Sequence, residues 1–124
     1  MQRKPGILIY IVDDDASVRK ALELLFLSVD MEVRTFERGE DLLKEPIREE
    51  RACLVAGMKM KGLSGLELQQ ELTNRGIRMP VIFLTALDSD ATRKLAKQAG
   101  ALGYLKKPVD DQALLDSIRW AMSS

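Results

Sequence analysis

The sequence predicts an α/β domain, a parallel sheet with helices packed on both of its faces. Three observations lead there. Short apolar runs alternate five times with segments of helical periodicity, the mark of consecutive β-then-α units. The chain has 124 residues, the length of one domain, expected to span 1–124. Its hydrophobic fraction of 46% and charged fraction of 31% are those of a globule able to bury a proper core.

The elements follow in order. Ile7-Leu8-Ile9-Tyr10-Ile11-Val12 is apolar and β-branched, and an acidic cluster stops it, so it reads as a strand buried on both faces. Val18, Ala21, Leu22, Leu25 and Val29 recur at helical spacing, and the Asp15 carboxylate is placed to cap that helix by accepting its first free N–H groups. Glu32 to Phe36 alternates and reads as a more exposed edge strand. Gly39 to Leu43 opens a short helix that must end by Pro46. Ala52 to Ala56 is a third, buried strand.

Ser64-Gly65-Leu66-Glu67 is a capping box, and the helix it starts carries Leu66, Leu68 and Leu72 before stopping near Gly76. Pro80 to Leu84 is a fourth strand, with Pro at a first position that needs no donor. Ser89 to Ala99 is a fourth helix, and Gly100 suits a left-handed C-terminal residue. Leu102 to Leu105 is a short fifth strand. Asp110 is placed to cap a last helix bearing Leu114, Leu115, Ile118 and Met122. Trp120 on that helix is expected to pack against the flank of the sheet. Right-handed crossovers then favour a flavodoxin-like (βα)5 doubly wound sheet of strand order 2-1-3-4-5. In such a sheet the working site lies beyond the C-terminal strand ends, where strands 1 and 3 diverge.

Composition excludes several function classes. Lys+Arg 19 against Asp+Glu 19 gives a net charge of +0, so no broad basic field exists for direct nucleic-acid binding. The chain has no His, which removes Ser-His-Asp and Cys-His catalysis, the H-E-x-x-H zinc helix and phosphohistidine. The single Cys53 lies in an apolar run and reads as a buried, reduced thiol. No apolar run nears the ~20 residues of a membrane span, and no signal peptide is visible, so a cytoplasmic location is expected.

The strand ends carry the chemistry. The first strand ends in Asp13-Asp14-Asp15, adjacent carboxylates whose repulsion a hard cation such as Mg²⁺ relieves. The fourth ends in Thr85, and the fifth leads to Lys106-Lys107-Pro108. A hydroxyl and an ammonium on neighbouring strand ends form a clamp for phosphoryl oxygens.

Five motifs stand in order along the chain: Val12-Asp13-Asp14, Met60-x-Gly62-x-Ser64-Gly65, Leu84-Thr85-Ala86, Ala99-Gly100-Ala101 and Lys107-Pro108. Their order and spacing make the chain resemble a bacterial two-component response-regulator receiver domain. Val33-Arg34-Thr35-Phe36 and Gly62 to Leu68 are most similar to receivers of nitrogen-fixation and nodulation transcriptional regulators. The resemblance implies that Asp13 and Asp14 bind the metal, together with the main chain of Lys59. It implies that Thr85 senses a phosphoryl group, that Lys107 contacts it and that the Tyr104 rotamer follows Thr85. A histidine kinase or other signalling protein is the implied partner. So are a homodimer through the fourth helix, fifth strand and fifth helix, and a C-terminal DNA-binding output domain.

One departure from the family matters. There the phosphate-accepting aspartate lies five residues before the Gly of an M-P-G turn. Here the turn is Met60-Lys61-Gly62, and the corresponding residue is Gly57, with Ala56 and Met58 on either side. Glycine has no nucleophile, so a degenerate pseudo-receiver that acts by protein contacts is expected. With one carboxylate gone, Mg²⁺ is expected to bind weakly, and the ammonium of Lys59 or Lys61 to replace it beside Asp13 and Asp14. The competing enzymatic reading is a phosphatase of the haloacid dehalogenase type using Asp13 and Asp15, which would need a further acidic pair near the chain end. Asp110-Asp111 is the pair available there.

Overall fold

The computed structural model describes residues 6–123. It contains β1 (Leu8–Val12), α1 (Ala16–Ser28), β2 (Glu32–Phe36), α2 (Gly39–Leu43), β3 (Ala52–Gly57) and α3 (Gly65–Asn74). These are followed by β4 (Val81–Thr85), α4 (Asp90–Gln98), β5 (Gly103–Lys106) and α5 (Asp111–Ser123). The five strands form one parallel sheet in the order β2-β1-β3-β4-β5, as expected.

Burial follows the apolar pattern. Every residue of β1, β3 and β4 is buried, because these central strands face helices on both sides. Leu8, Tyr10, Val12, Leu54, Ala56 and Phe83 meet Leu42 of α2, Leu68 and Leu72 of α3 and Ala96 of α4. Their neighbours Ile9, Ile11, Cys53, Val55, Ile82 and Leu84 meet Leu22 and Phe26 of α1 and Leu114, Leu115 and Ile118 of α5. Successive strand residues thus feed two separate cores, as a period of two requires. The edge strands β2 and β5 are less buried.

The helix starts are set by side chains. Asp15 accepts from Ser17 N at 2.9 Å and Val18 N at 3.3 Å. Ser64 accepts from Glu67 N at 3.1 Å, and Glu67 returns a bond to Ser64 N at 3.0 Å, completing the capping box. Gly100, at φ +79°, follows α4 in the left-handed conformation.

Several details differ from the sequence reading: β1 begins at Leu8 and β3 runs on to Gly57. β4 begins at Val81, and Pro80 contributes only its carbonyl, which accepts from Leu54 N at 2.9 Å. β5 lies one residue later than expected, at Gly103–Lys106. Trp120 does not pack on the sheet flank, being 63% exposed. α5 buries Leu114, Leu115, Ile118 and Ala121, and Trp120 is turned about 200° around the helix from Ile118. Among the described residues no helix is long and apolar enough to cross a membrane.

Candidate functional site

The parallel sheet brings the ends of β1, β3, β4 and β5 to one edge, and the side chains singled out in the sequence gather there. Asp13 follows β1 and is 1% exposed. Its Oδ1 accepts from Asp15 N at 2.9 Å, and its carbonyl accepts from Arg19 Nη1 at 2.7 Å. Its Oδ2 lies 2.7 Å from Lys107 Nζ. That contact is an ion pair without the directionality of a hydrogen bond, since Oδ2 accepts none. The main-chain N–H of Lys107 donates to Thr85 O at 2.7 Å, which ties the residue to the end of β4.

Asp14 is half-buried, and its Oδ2 accepts from the main-chain N–H of Lys61 at 2.9 Å. Lys61 itself is exposed, so it meets the acidic pair through its backbone. Lys59 is also exposed and lines a small cavity of about 80 Å³ with Leu84, Thr85, Ala86, Leu87 and Lys107. Among the ion pairs of the described residues, the ammonium on the acidic pair is that of Lys107. Asp15 faces the start of α1 and is held below its ordinary value by the Ser17 hydroxyl and then by the capping N–H groups.

Gly57 closes β3 opposite Leu84 of β4. A Cβ placed on it would stand 3.1 Å from Asp13 Oδ2 and 3.2 Å from Met60 Cγ. The position therefore adjoins the Asp13 carboxylate and is covered by the Met60 side chain. The loop beyond it doubles back tightly. Gly65 N donates to Met58 O at 3.1 Å, and a Cβ on Gly65 would collide with Gly57 O. Only glycine lets α3 start so close to the end of β3.

Thr85 is 5% exposed, and its hydroxyl donates to Leu87 O at 2.9 Å and accepts from Leu87 N at 3.3 Å. Tyr104 is half-buried in β5, and its hydroxyl donates to Asp88 Oδ1 at 3.1 Å. Both are thus engaged with the β4–α4 connection rather than with Asp13.

Four contributors were not foreseen. Arg19 braces Asp13 from α1. Glu40 of α2 accepts from Leu63 N at 3.0 Å, which holds its carboxyl below the ordinary value and ties down the β3–α3 loop. Met60 covers Gly57, and Asp88 receives Tyr104. The acidic residue opening α2 was the only signal for Glu40, and it reads equally well as helix-dipole complement.

Comparison with known proteins gives the family. The model of the response regulator receiver domain matches residues 9–119, and the chain belongs to that family. It is 40% identical over 115 residues to the transcriptional regulatory protein TdiR of Thauera aromatica, covering 93% of this chain and 51% of that protein. It is 37% identical to nodulation protein W of Bradyrhizobium diazoefficiens, covering 90% of this chain and 49% of that one. The chain thus spans about half the length of the curated relatives it matches. Among solved structures, the response regulator StyR superposes with a TM-score of 0.87 at 39% identity, over 96% of this chain and 60% of that one. The crystal structure of FixJ-N gives 0.85 at 28% identity, over 99% and 96%.

The class brings general properties. Receiver domains are signalling modules that interact with histidine kinases and output domains, generally without enzymatic activity of their own, and they commonly bind Mg²⁺ at the phosphorylation site. In this chain, no three His, Cys, Asp or Glu among the described residues gather into a cluster that could hold a metal ion.

Proposed function

We propose that this chain is a pseudo-receiver, a signalling domain that acts through protein contacts without phosphorylation of an aspartate. Gly57 carries the reading. It stands at the end of β3, five residues before Gly62, where the family places its phosphate acceptor, and lies against the Asp13 carboxylate. Acyl phosphate formation needs a carboxylate nucleophile in line with the incoming phosphoryl group, and glycine supplies none.

The residues present do not fit a tightly held Mg²⁺. The buried Asp13 Oδ2 already faces one full positive charge at 2.7 Å, and Asp14 Oδ2 is taken by the Lys61 N–H. A hard divalent cation wants several oxygen ligands, and here two carboxylates remain where a third belongs. Lys107 supplies the neutralising charge, and Lys59 stands on the rim as a second cation. The phosphatase reading loses support for a related reason, because the Asp15 carboxylate caps α1.

The partner set follows from the family. A histidine kinase or another signalling protein reads the domain, a second copy docks on the α4–β5–α5 face, and a DNA-binding output domain accompanies it. The last rests on the printed names of TdiR and FixJ, both transcriptional regulatory proteins of which the chain matches about half.

A calorimetric Mg²⁺ titration of the wild type beside Gly57→Asp tests the reading. The variant should bind at least about tenfold more tightly, a change of ~1.4 kcal/mol. A variant that binds no better than the parent means that Gly57 is not the missing corner of the site.

A further inference from the structure

The β4–α4 connection is fastened from two other elements. The Thr85 hydroxyl is bonded twice to the main chain of Leu87. The next residue, Asp88, receives the Tyr104 hydroxyl of β5 on Oδ1 at 3.1 Å and the Arg93 guanidinium of α4 on Oδ2 at 2.6 Å. The guanidinium also stands 6.0 Å from the centre of the Tyr104 ring. Ser89 then starts α4 by accepting from Thr92 N at 3.0 Å. One carboxylate is therefore shared between β5 and α4, with a separate oxygen for each.

We propose that Asp88 is a latch, a positioning residue that holds Tyr104, Arg93 and the β4–α4 loop in one arrangement and keeps the α4–β5 surface in a single state. The proposal deepens the pseudo-receiver reading and rests on it in one respect: a pocket without a phosphate acceptor leaves the state of that surface to contacts such as these. An exposed Asp–Arg pair alone contributes little, and Arg93 is 59% exposed. The difference here is the third member. Tyr104 packs its ring against the core that also holds Phe83 and Ala96, so its hydroxyl ties Asp88 to the sheet rather than to another mobile side chain. Bonds to an ionised carboxylate are the stronger kind, and networks of them reinforce one another. Burial raises the Asp88 carboxyl, but the Tyr104 hydrogen bond and the Arg93 charge outweigh it, and the group stays below its ordinary value. It remains an acceptor for both donors at neutral pH.

Native-state amide hydrogen exchange of the full chain tests this, with the Leu87 N–H as reporter. Asp88→Asn and Tyr104→Phe should each speed its exchange about tenfold, while the Phe83 and Leu84 amides of β4 keep their rates. Because both variants open one network, the double variant should exchange no faster than either single one. Unchanged Leu87 exchange in Tyr104→Phe, or additive acceleration in the double variant, overturns the latch. Should Asp88→Asn not fold, Arg93→Gln with Tyr104→Phe carries the same comparison. Phosphorylation of the wild type is read separately by intact mass. An adduct there would overturn the pseudo-receiver reading and leave the exchange result to judge the latch.

Discussion

Lys107 Nζ stands 2.7 Å from the buried Oδ2 of Asp13, joining the end of β5 to the end of β1 across the two strands between them. Asp13 is 1% exposed, and that ammonium is the cation paired with it. Removing one partner of a buried pair leaves an uncompensated charge, at a cost of about 3–5 kcal/mol. Lys107→Ala should lower the urea midpoint accordingly at unchanged slope. Adding Asp13→Asn should recover more than half of the loss, because the stranded charge is gone. A Lys107→Ala variant within ~0.5 kcal/mol of wild type would mean that the pair carries no such weight.

Gly57→Asp should bind metal and yet be less stable without it. Its Cβ would sit 3.1 Å from Asp13 Oδ2 and 3.2 Å from Met60 Cγ, so Met60 must swing away while a third negative charge enters the pocket. Thermal unfolding in a chelator should place the variant below the wild type, and saturating Mg²⁺ should close or reverse the gap. Gly57→Ala separates the terms, since it adds the crowding without the charge.

Ser64→Ala should cost about 1 kcal/mol, because the hydroxyl caps Glu67 N in a complete capping box. The same variant should loosen the turn between Gly57 and Gly65. Chemical denaturation gives the first number, and backbone amide exchange at Gly65 the second.

Cys53 fixes a pH dependence at the alkaline end. Burial in β3 pushes its thiol from 9.0 up to about 12. The unfolded chain ionises first, so the folded state holds the proton more tightly. The associated stability is complete below pH 9 and is lost as pH rises from there towards 12. The slope is at most about 1.4 kcal/mol per pH unit. Comparing the pH profiles of wild type and Cys53→Ala isolates it from Lys and Tyr titration. In the folded protein at neutral pH, the thiol should react with alkylating reagents only through unfolding.

The central strands were legible because burial on both faces writes uninterrupted apolar runs, and β1, β3 and β4 are such runs. The edges were less so. β5 is only half-buried, and its boundary slipped by one residue where no strong periodicity marks it. Trp120 was misread because an aromatic on an amphipathic helix invites an inward placement, whereas the buried stripe of α5 runs through Leu114, Ile118 and Ala121. At the site, the strand-end rule put Asp13, Thr85 and Lys107 at one edge of the sheet, and the family resemblance added Gly57. The bracing could not be read in the same way. Arg19 on the Asp13 carbonyl, Glu40 on Leu63 N and Tyr104 on Asp88 each depend on the course of a loop, which no local pattern encodes.

The most direct test treats the wild type and Gly57→Asp with acetyl phosphate and Mg²⁺ and follows intact mass. The account predicts that the wild type gains no phosphoryl group under conditions that label an ordinary receiver run beside it. A stoichiometric, acid-labile adduct on the wild-type chain would contradict it.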